Sequence, residues 1–324
     1  MIDTRLNPHF TRPPNDCFCD KFMEPVTTEE PAYAPYLRNS LAASTQAQYL
    51  IDLSDFEAWG GKLPASPESI ATFAADRAVT LAIATLTRRL AGLSKLHDAH
   101  GYVNPVRTEL VRATMKGVRR TKGTAQRAAA PLMRETLFGV LKVMGDRPKD
   151  RRDKALLLIG FAAALRRSEL VALTVADIQQ VRQGVIVHVR RSKTDQEGEG
   201  RQIAVPLGRT QWCPVRALED WLTTSNITEG PVFRRVNWCG RVSELPMKPE
   251  AVSIVVRERV AAIGLDPRPY SGHSLRAGLA SSAAEAGIAS WTIRRTTGHR
   301  SQEMLERYIR VGDLFRHNAA GSLL

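Results

Sequence analysis

From residue 39 the apolar positions recur with a helical period. Leu41, Thr45, Tyr49, Leu53 and Phe56 follow one another at steps of three or four, and Trp59 closes the run before Gly60 and Gly61. Ser66, Pro67 and Glu68 form a helix start, a hydroxyl cap followed by proline in the first turn, that leads into Ile70 and Phe73. A third stripe, Ile83, Leu86, Leu90, Leu93 and Leu96, ends at Gly101. Asn104 and Pro105 open a fourth helix that carries Leu110, Val111, Met115 and Val118. No alternating β-branched run interrupts this region, so residues 35–122 are expected to fold as a small helical bundle.

The flanks read differently. Residues 1–34 hold Pro8, Pro13, Pro14 and Pro25 without periodicity and are expected to be a tail. Residues 123–130 are small, polar and basic, the composition of a linker. A second domain, 131–324, begins with a helix through Leu137, Val140, Leu141 and Met144, followed by a buried helix over 154–165 that Arg166 ends. Ser168 is the expected cap of the next helix. GVIVHV at 184–189 and RQIAVP at 201–206 alternate like strands, and the glycines and charges between them predict an antiparallel hairpin with Lys193 near its tip. PVF at 231–233 is a candidate further strand. Helices are expected over 248–263, 273–286, 289–297, 301–309 and 312–320. The expected fold is therefore mainly α, with an N-terminal helical bundle and a mostly helical α+β domain holding one small antiparallel sheet. The final segment has apolar Leu314, Phe315, Ala319, Leu323 and Leu324 and is expected to dock on a neighbouring copy.

Composition changes the picture in one respect. A length of 324 residues agrees with two domains, and 43% hydrophobic with 24% charged residues describes an ordinary soluble protein. Forty-six Lys and Arg against 33 Asp and Glu leave a net charge of +13, which favours a polyanionic partner. DNA, RNA and acidic membrane would all satisfy that field, and the placement of the cations suits contacts to phosphates. Arg88, Arg89 and Lys95 fall between the apolar positions of the third helix, and Arg112, Lys116, Arg119, Arg120 and Lys122 crowd the fourth, where they would contact phosphates. The amino terminus does not read as a signal peptide, and the apolar run at 155–165 is too short for a bilayer, so a cytoplasmic protein with no membrane partner is expected. Cys17, Cys19, Cys213 and Cys239 have neither disulfide-framework nor zinc-ligand spacing, so no metal is expected. His97 and His100 lie one helical turn apart, on what reads as an exposed face.

The chemistry concentrates in ALRRSEL at 164–170 and in the last fifth of the chain, with HSLR at 273–276, GHR at 298–300 and Tyr308. A phosphodiester resists attack because its anionic oxygens repel nucleophiles and its alkoxide leaves poorly. A catalyst needs fixed cations on the phosphate and a proton for the leaving oxygen. Arg166 and Arg276 offer planar forks that match two phosphate oxygens and stay charged at any working pH. His273 and Arg276, three apart at a helix start, project from one face.

With RSKT at 191–194, SGHSLRAG, TGHRS and RYIR added, the chain resembles the tyrosine recombinases, also called the phage integrase family. The resemblance extends over about 40–324, since STQAQYL and LSKLHDAHGYVNP look like the family's core-binding domain, and the spacing is most similar to the Cre-type branch. It implies that Tyr308 is the nucleophile that forms a 3′-phosphotyrosine, that His273 takes its proton, and that Arg166, Arg276 and His299 hold the non-bridging oxygens. It further implies that Lys193 is the general acid for the 5′ oxygen and that Glu169 orients the cations. No cofactor and no ATP are needed in such chemistry. The implied partner is double-stranded DNA bearing inverted-repeat recombination sites, with a homodimer on each site and a homotetramer in the synapse, passing through a Holliday junction. There are two departures: Cre-type proteins carry tryptophan where this chain has His299, and Arg167 occupies a position that is usually apolar, where it is a candidate contact to DNA or to a neighbouring acid. A silent DNA-binding protein of the same fold and a type IB topoisomerase remain alternatives.

Overall fold

The structure, a computed structural model, describes residues 40–123, 129–190 and 199–298 together with Ala32, Tyr36, Glu303, Glu306 and Tyr308. Most of the expected tail, residues 124–128, Lys193, His299 and the expected docking helix lie outside the described residues. Two compact units divide at Arg127 and Ala128. No helix among the described residues is long and apolar enough to cross a membrane.

The first unit contains α1 (Ala43–Ala58), α2 (Pro67–Thr80), α3 (Ile83–Ala99) and α4 (Glu109–Lys122). Their apolar stripes meet in a core where Phe56, Ile70, Phe73, Leu86 and Leu93 have no solvent exposure. Phe56 and Phe73 pack edge to face with ring centroids 5.1 Å apart. The Ser66 hydroxyl caps α2 by accepting from the Ser69 amide.

Two expectations for this unit fail. Asn104 and Pro105 open only a 3₁₀ turn, Pro105–Arg107, in which the Asn104 side chain accepts from the Val106 amide. Thr108 is extended, and α4 begins after it. His97 is fully buried, not on an exposed face. Its Nε2 accepts from the Ala65 amide at 3.0 Å and its Nδ1 donates to the Leu93 carbonyl at 2.7 Å, so backbone partners satisfy both ring nitrogens.

The second unit contains α5 (Arg134–Lys142), α6 (Pro148–Ala162) and α7 (Arg167–Ala172), then β1 (Ile178–Val181), β2 (Gly184–Val189) and β3 (Arg201–Pro206). After these come α8 (Pro214–Thr224), β4 (Arg234–Val236), β5 (Val242–Pro246), α9 (Pro249–Ala261), α10 (His273–Glu285) and α11 (Ser290–Thr297). The strands form two antiparallel sheets, β1-β2-β3 and β4-β5, where one was expected. In the first, Gln179 pairs with Ile186 and Val187 with Ile203.

Four local expectations are corrected. The 231–233 segment supplies only a bridge from Pro231 to Thr174, and the strand begins at Arg234, opposite Pro246. Helix α6 starts at Pro148, whose fixed φ suits a first turn, six residues before the expected start. It ends at Ala162. Ser168 is not a cap, because Arg166 occupies the cap position of α7 and the Glu169 carboxylate, not a hydroxyl, accepts its amide. Helix α8 was not expected, yet it contributes Trp221, which is fully buried with Nε1 donating to the Val232 carbonyl at 2.8 Å.

Burial in the second unit holds the motif-bearing helices at close range. At Gly160 of α6 an added Cβ would lie 2.8 Å from Leu275 of α10 and 3.0 Å from Leu170 of α7. The missing side chain therefore lets α6 approach both the helix that starts at His273 and the one that starts at Arg167.

Candidate active site

The site is built where α6 turns into α7 and where α10 begins. The α6 helix closes with Ala163 in the right-handed region and Ala164 at φ 49°, after which Leu165 donates to the Gly160 carbonyl at 3.2 Å. A left-handed alanine costs about 1–2 kcal/mol, and such strain often marks functional turns. Here the turned-out Ala164 carbonyl accepts from Arg276 Nη1 at 3.0 Å. Next in the chain, Arg166 is extended and its amide donates to Glu169 Oε2 at 3.0 Å. Its guanidinium reaches the other oxygen, Oε1, at 2.5 Å. Glu169 is buried, so one carboxylate fixes both ends of Arg166.

The start of α10 is held by three serines. Ser274 Oγ accepts from the Ser271 amide, Ser271 Oγ from the His273 amide, and Ser253 Oγ of α9 from the Gly272 amide. His273 and Arg276 then follow on one face. Arg276 is buried with 1% exposure, while His273 opens to solvent on one side and faces the pocket on the other. Across 35 residues of sequence, His273 Nε2 lies 2.6 Å from the Tyr308 hydroxyl. Tyr308 is held from behind as well, since its carbonyl accepts from Ser281 Oγ at 3.3 Å and its ring packs on Ala280, Ala284 and Ile293.

The electrostatics of the pocket suit an anion. Partial burial, then the positive charges of Arg276 and Arg166, hold His273 below its ordinary value, so its Nε2 is free to accept the phenol proton at neutral pH. Burial, then repulsion from Arg166 and Arg201, bring Arg276 down to about 10, which leaves it charged at neutral pH. Arg166, Arg201 and Arg276 set three guanidiniums around a single carboxylate, Glu169. Such a pocket attracts phosphate, and the phenol is already hydrogen-bonded to a base.

Of the sequence-predicted set, Arg166, Glu169, His273, Arg276 and Tyr308 come together. Lys193 and His299 lie outside the described residues. Helix α11 ends at Gly298, left-handed at φ 65°, directly before His299 in the chain. Arg167 is exposed in the first turn of α7. In the first unit Lys95, Arg112, Lys116, Arg119 and Arg120 are exposed. Arg88 and Arg89 are instead bound to Asp52 and Asp55, and the Lys122 ammonium donates to the carbonyls of Ala78, Val79 and Leu81 at the C-terminal end of α2.

Arg201 is the residue that sequence reasoning missed. It opens β3 on the same face as buried Ile203 and Val205, and an inward-facing cation at the head of a strand was the available signal.

Comparison with known proteins agrees with this geometry. The model of the phage integrase family matches residues 111–314. An integrase/recombinase xerD homolog of Selenomonas ruminantium is 41% identical over 294 residues, covering 87% of this chain and 86% of its own. Recombinase cre of Escherichia phage P1 is 27% identical over 267 residues, 76% of each chain. Among solved structures, the XerH site-specific recombinase bound to a palindromic difH substrate has a TM-score of 0.62 at 16% identity, covering 90% of this chain and 82% of the other. A lambda integrase dimer bound to a COC′ core site has a TM-score of 0.60 at 16% identity, covering 93% and 78%. These two carry the fold, while the family match and the 41% relative carry the membership: the chain belongs to the phage integrase family and is a tyrosine recombinase, an enzyme that cleaves and rejoins DNA.

Proposed function

We propose that the chain is a site-specific recombinase in which Tyr308 Oη attacks the scissile phosphorus and expels the 5′ oxygen, leaving a 3′-phosphotyrosine. The observation that carries this reading is the 2.6 Å contact between His273 Nε2 and the Tyr308 hydroxyl beside the buried guanidinium of Arg276. The phenolic proton passes to His273 as the O–P bond forms. Arg166 and Arg276 hold the non-bridging oxygens, joined by His299, and Glu169 keeps Arg166 in place. Lys193 gives a proton to the departing 5′ oxygen. The new ester retains the energy of the broken one, so a 5′-hydroxyl can reverse the step without ATP. His273 and Tyr308 are within reach of each other in one chain, which supports cleavage by each protomer's own tyrosine.

The exposed Lys95, Arg112, Lys116, Arg119 and Arg120 of the first unit, with Arg167 of the second, would grip the duplex backbone. Two protomers on an inverted-repeat site and four in the synapse, exchanging strands through a Holliday junction in the cytoplasm, complete the reading. The terminal segment through Leu324 would link neighbours. A DNA duplex carrying a recombination site located by a search for inverted repeats around the coding region, nicked next to the cleavage position, tests it. Wild type should trap a covalent adduct and Tyr308→Phe none. Equal trapping by both would overturn the assignment of the nucleophile, binding without trapping would favour a silent DNA-binding protein, and relaxation of arbitrary plasmids a topoisomerase.

A further inference from the structure

We propose that Arg201 is a positioning residue of the strand-cleavage site, clamping Glu169 from the side opposite Arg166 and keeping both the carboxylate and the turn at Gly298 in their working places. The proposal rests on the strand-cleavage reading above. Arg201 Nη2 donates to Glu169 Oε2 at 3.0 Å, the oxygen that also accepts the Arg166 amide, while Oε1 holds the Arg166 guanidinium. A lone carboxylate facing a phosphate-binding arginine is free to close on it and neutralise it. With a second cation sharing its charge, Glu169 fixes Arg166 and leaves the pocket positive.

A second contact points the same way. The Arg201 guanidinium fills the space beside Gly298, where an added Cβ would fall 2.3 Å from Nη1. Gly298 is favoured by its left-handed φ of 65°, and any side chain there would have to displace the end of Arg201. The arginine packs against both the α7 motif and the turn that leads into His299. Its Nε and Nη1 are buried and have no hydrogen-bond partner among the described residues. A guanidinium with two buried donors that no described residue accepts lowers stability, so a role other than folding accounts for its place here. Its positive charge also acts on Arg276. Because those donors are covered, Arg201 works through Glu169 and the Gly298 turn and not by touching the scissile phosphate itself.

The test measures the rate of covalent adduct formation on the nicked duplex, together with equilibrium binding to the intact one. Arg201→Gln should slow adduct formation about 10- to 100-fold, the scale of one charge-assisted hydrogen bond, while binding changes less than about threefold, the spread expected when no phosphate contact is lost. Arg201→Lys, which restores the charge without the fork, should recover part of the rate. Glu169→Gln and Arg201→Gln should be non-additive, the double variant cleaving about as fast as the slower single one. Wild-type cleavage by Arg201→Gln, or fully multiplicative effects in the double variant, would overturn the proposal. So would a drop in binding equal to the drop in rate, or an Arg201→Lys that unfolds. If wild type itself traps nothing, the reading of the reaction falls as well, whereas normal trapping by wild type and Arg201→Gln alike removes only the role given to Arg201.

Discussion

Each unit gathers three arginines around carboxylates, and the two clusters serve opposite ends. In the first unit Arg77, Arg88 and Arg89 meet two aspartates: Arg77 Nε lies 3.1 Å from Asp55, Arg88 Nη1 donates to Asp52, and Arg89 bonds Asp55. Asp52 is fully buried, so α1 and α3 are joined by ion pairs whose charge is mostly cancelled. In the second unit Arg166, Arg201 and Arg276 surround Glu169, and Arg276 has a backbone carbonyl where Arg88 has a carboxylate. Among the described residues that cluster sets three guanidiniums against one carboxylate, beside the Tyr308 phenol and the His273 imidazole. A cluster of arginines therefore indicates a phosphate site only after its carboxylates are counted, because a neutralised cluster holds helices together and an uncompensated one waits for an anion.

The largest effect that would separate the clusters is in stability. Asp52→Asn should cost about 3–5 kcal/mol, the range for breaking a buried pair and leaving its cations uncompensated, read as a lowered urea midpoint of the first unit's transition. A change under about 1 kcal/mol, the worth of an exposed pair, would show that the first cluster is not structural. In the second cluster, Arg276→Lys should instead reduce adduct formation about 10²–10³-fold, the scale of removing a donor to a developing charge. Its ammonium keeps the charge but cannot serve both the Ala164 carbonyl and a phosphate oxygen in one plane.

The pH dependence sharpens the same contrast. Burial and the neighbouring guanidiniums lower the His273 value, so the accepting form persists below the ordinary imidazole range. Adduct formation should be level above pH ~6.5, the reference value. It should fall about tenfold per unit only below the depressed value, because protonated Nε2 cannot take the phenol proton. A profile that already falls above pH 7 would contradict this environment.

Smaller effects distinguish exposed from engaged cations. Arg119→Gln should reduce the slope of log affinity against log salt by about 1, as expected for one lost phosphate contact. Arg88→Gln, already bound to Asp52, should lower the melting temperature and leave that slope nearly unchanged; equal slope losses would mean that both reach DNA. Last, Ala164→Gly relieves a left-handed alanine and should stabilise the second unit by up to ~1 kcal/mol, with the backbone carbonyl still available to Arg276.

Much of this molecule can be read directly from its residues. The period of Leu86, Leu90, Leu93 and Leu96, the Ser66-Pro67 start and the alternation in GVIVHV mark α3, α2 and β2, because each is a local pattern with a local cause. The order of ALRRSEL, HSLR, GHR and Tyr308 marks the reaction, since few chemistries need those side chains together. Helix α8 and strand β5 escaped because the apolar positions of α8 make sense only against the core that buries Trp221, and β5 only against β4. His97 was misplaced because burial of a polar ring depends on backbone partners at Ala65 and Leu93, one of them 32 residues away.

Sequence alone determined the helical period, the Ser66 cap and the types of side chain brought to the chemistry, all of which depend on neighbours within a few residues. Only the tertiary structure decided which arginines remain available. Whether a guanidinium grips phosphate or an aspartate depends on carboxylates brought from distant segments, Asp52 to Arg88 across 36 residues and Glu169 to Arg201 across 32. Coulomb energy falls with distance in space and takes no account of separation along the chain.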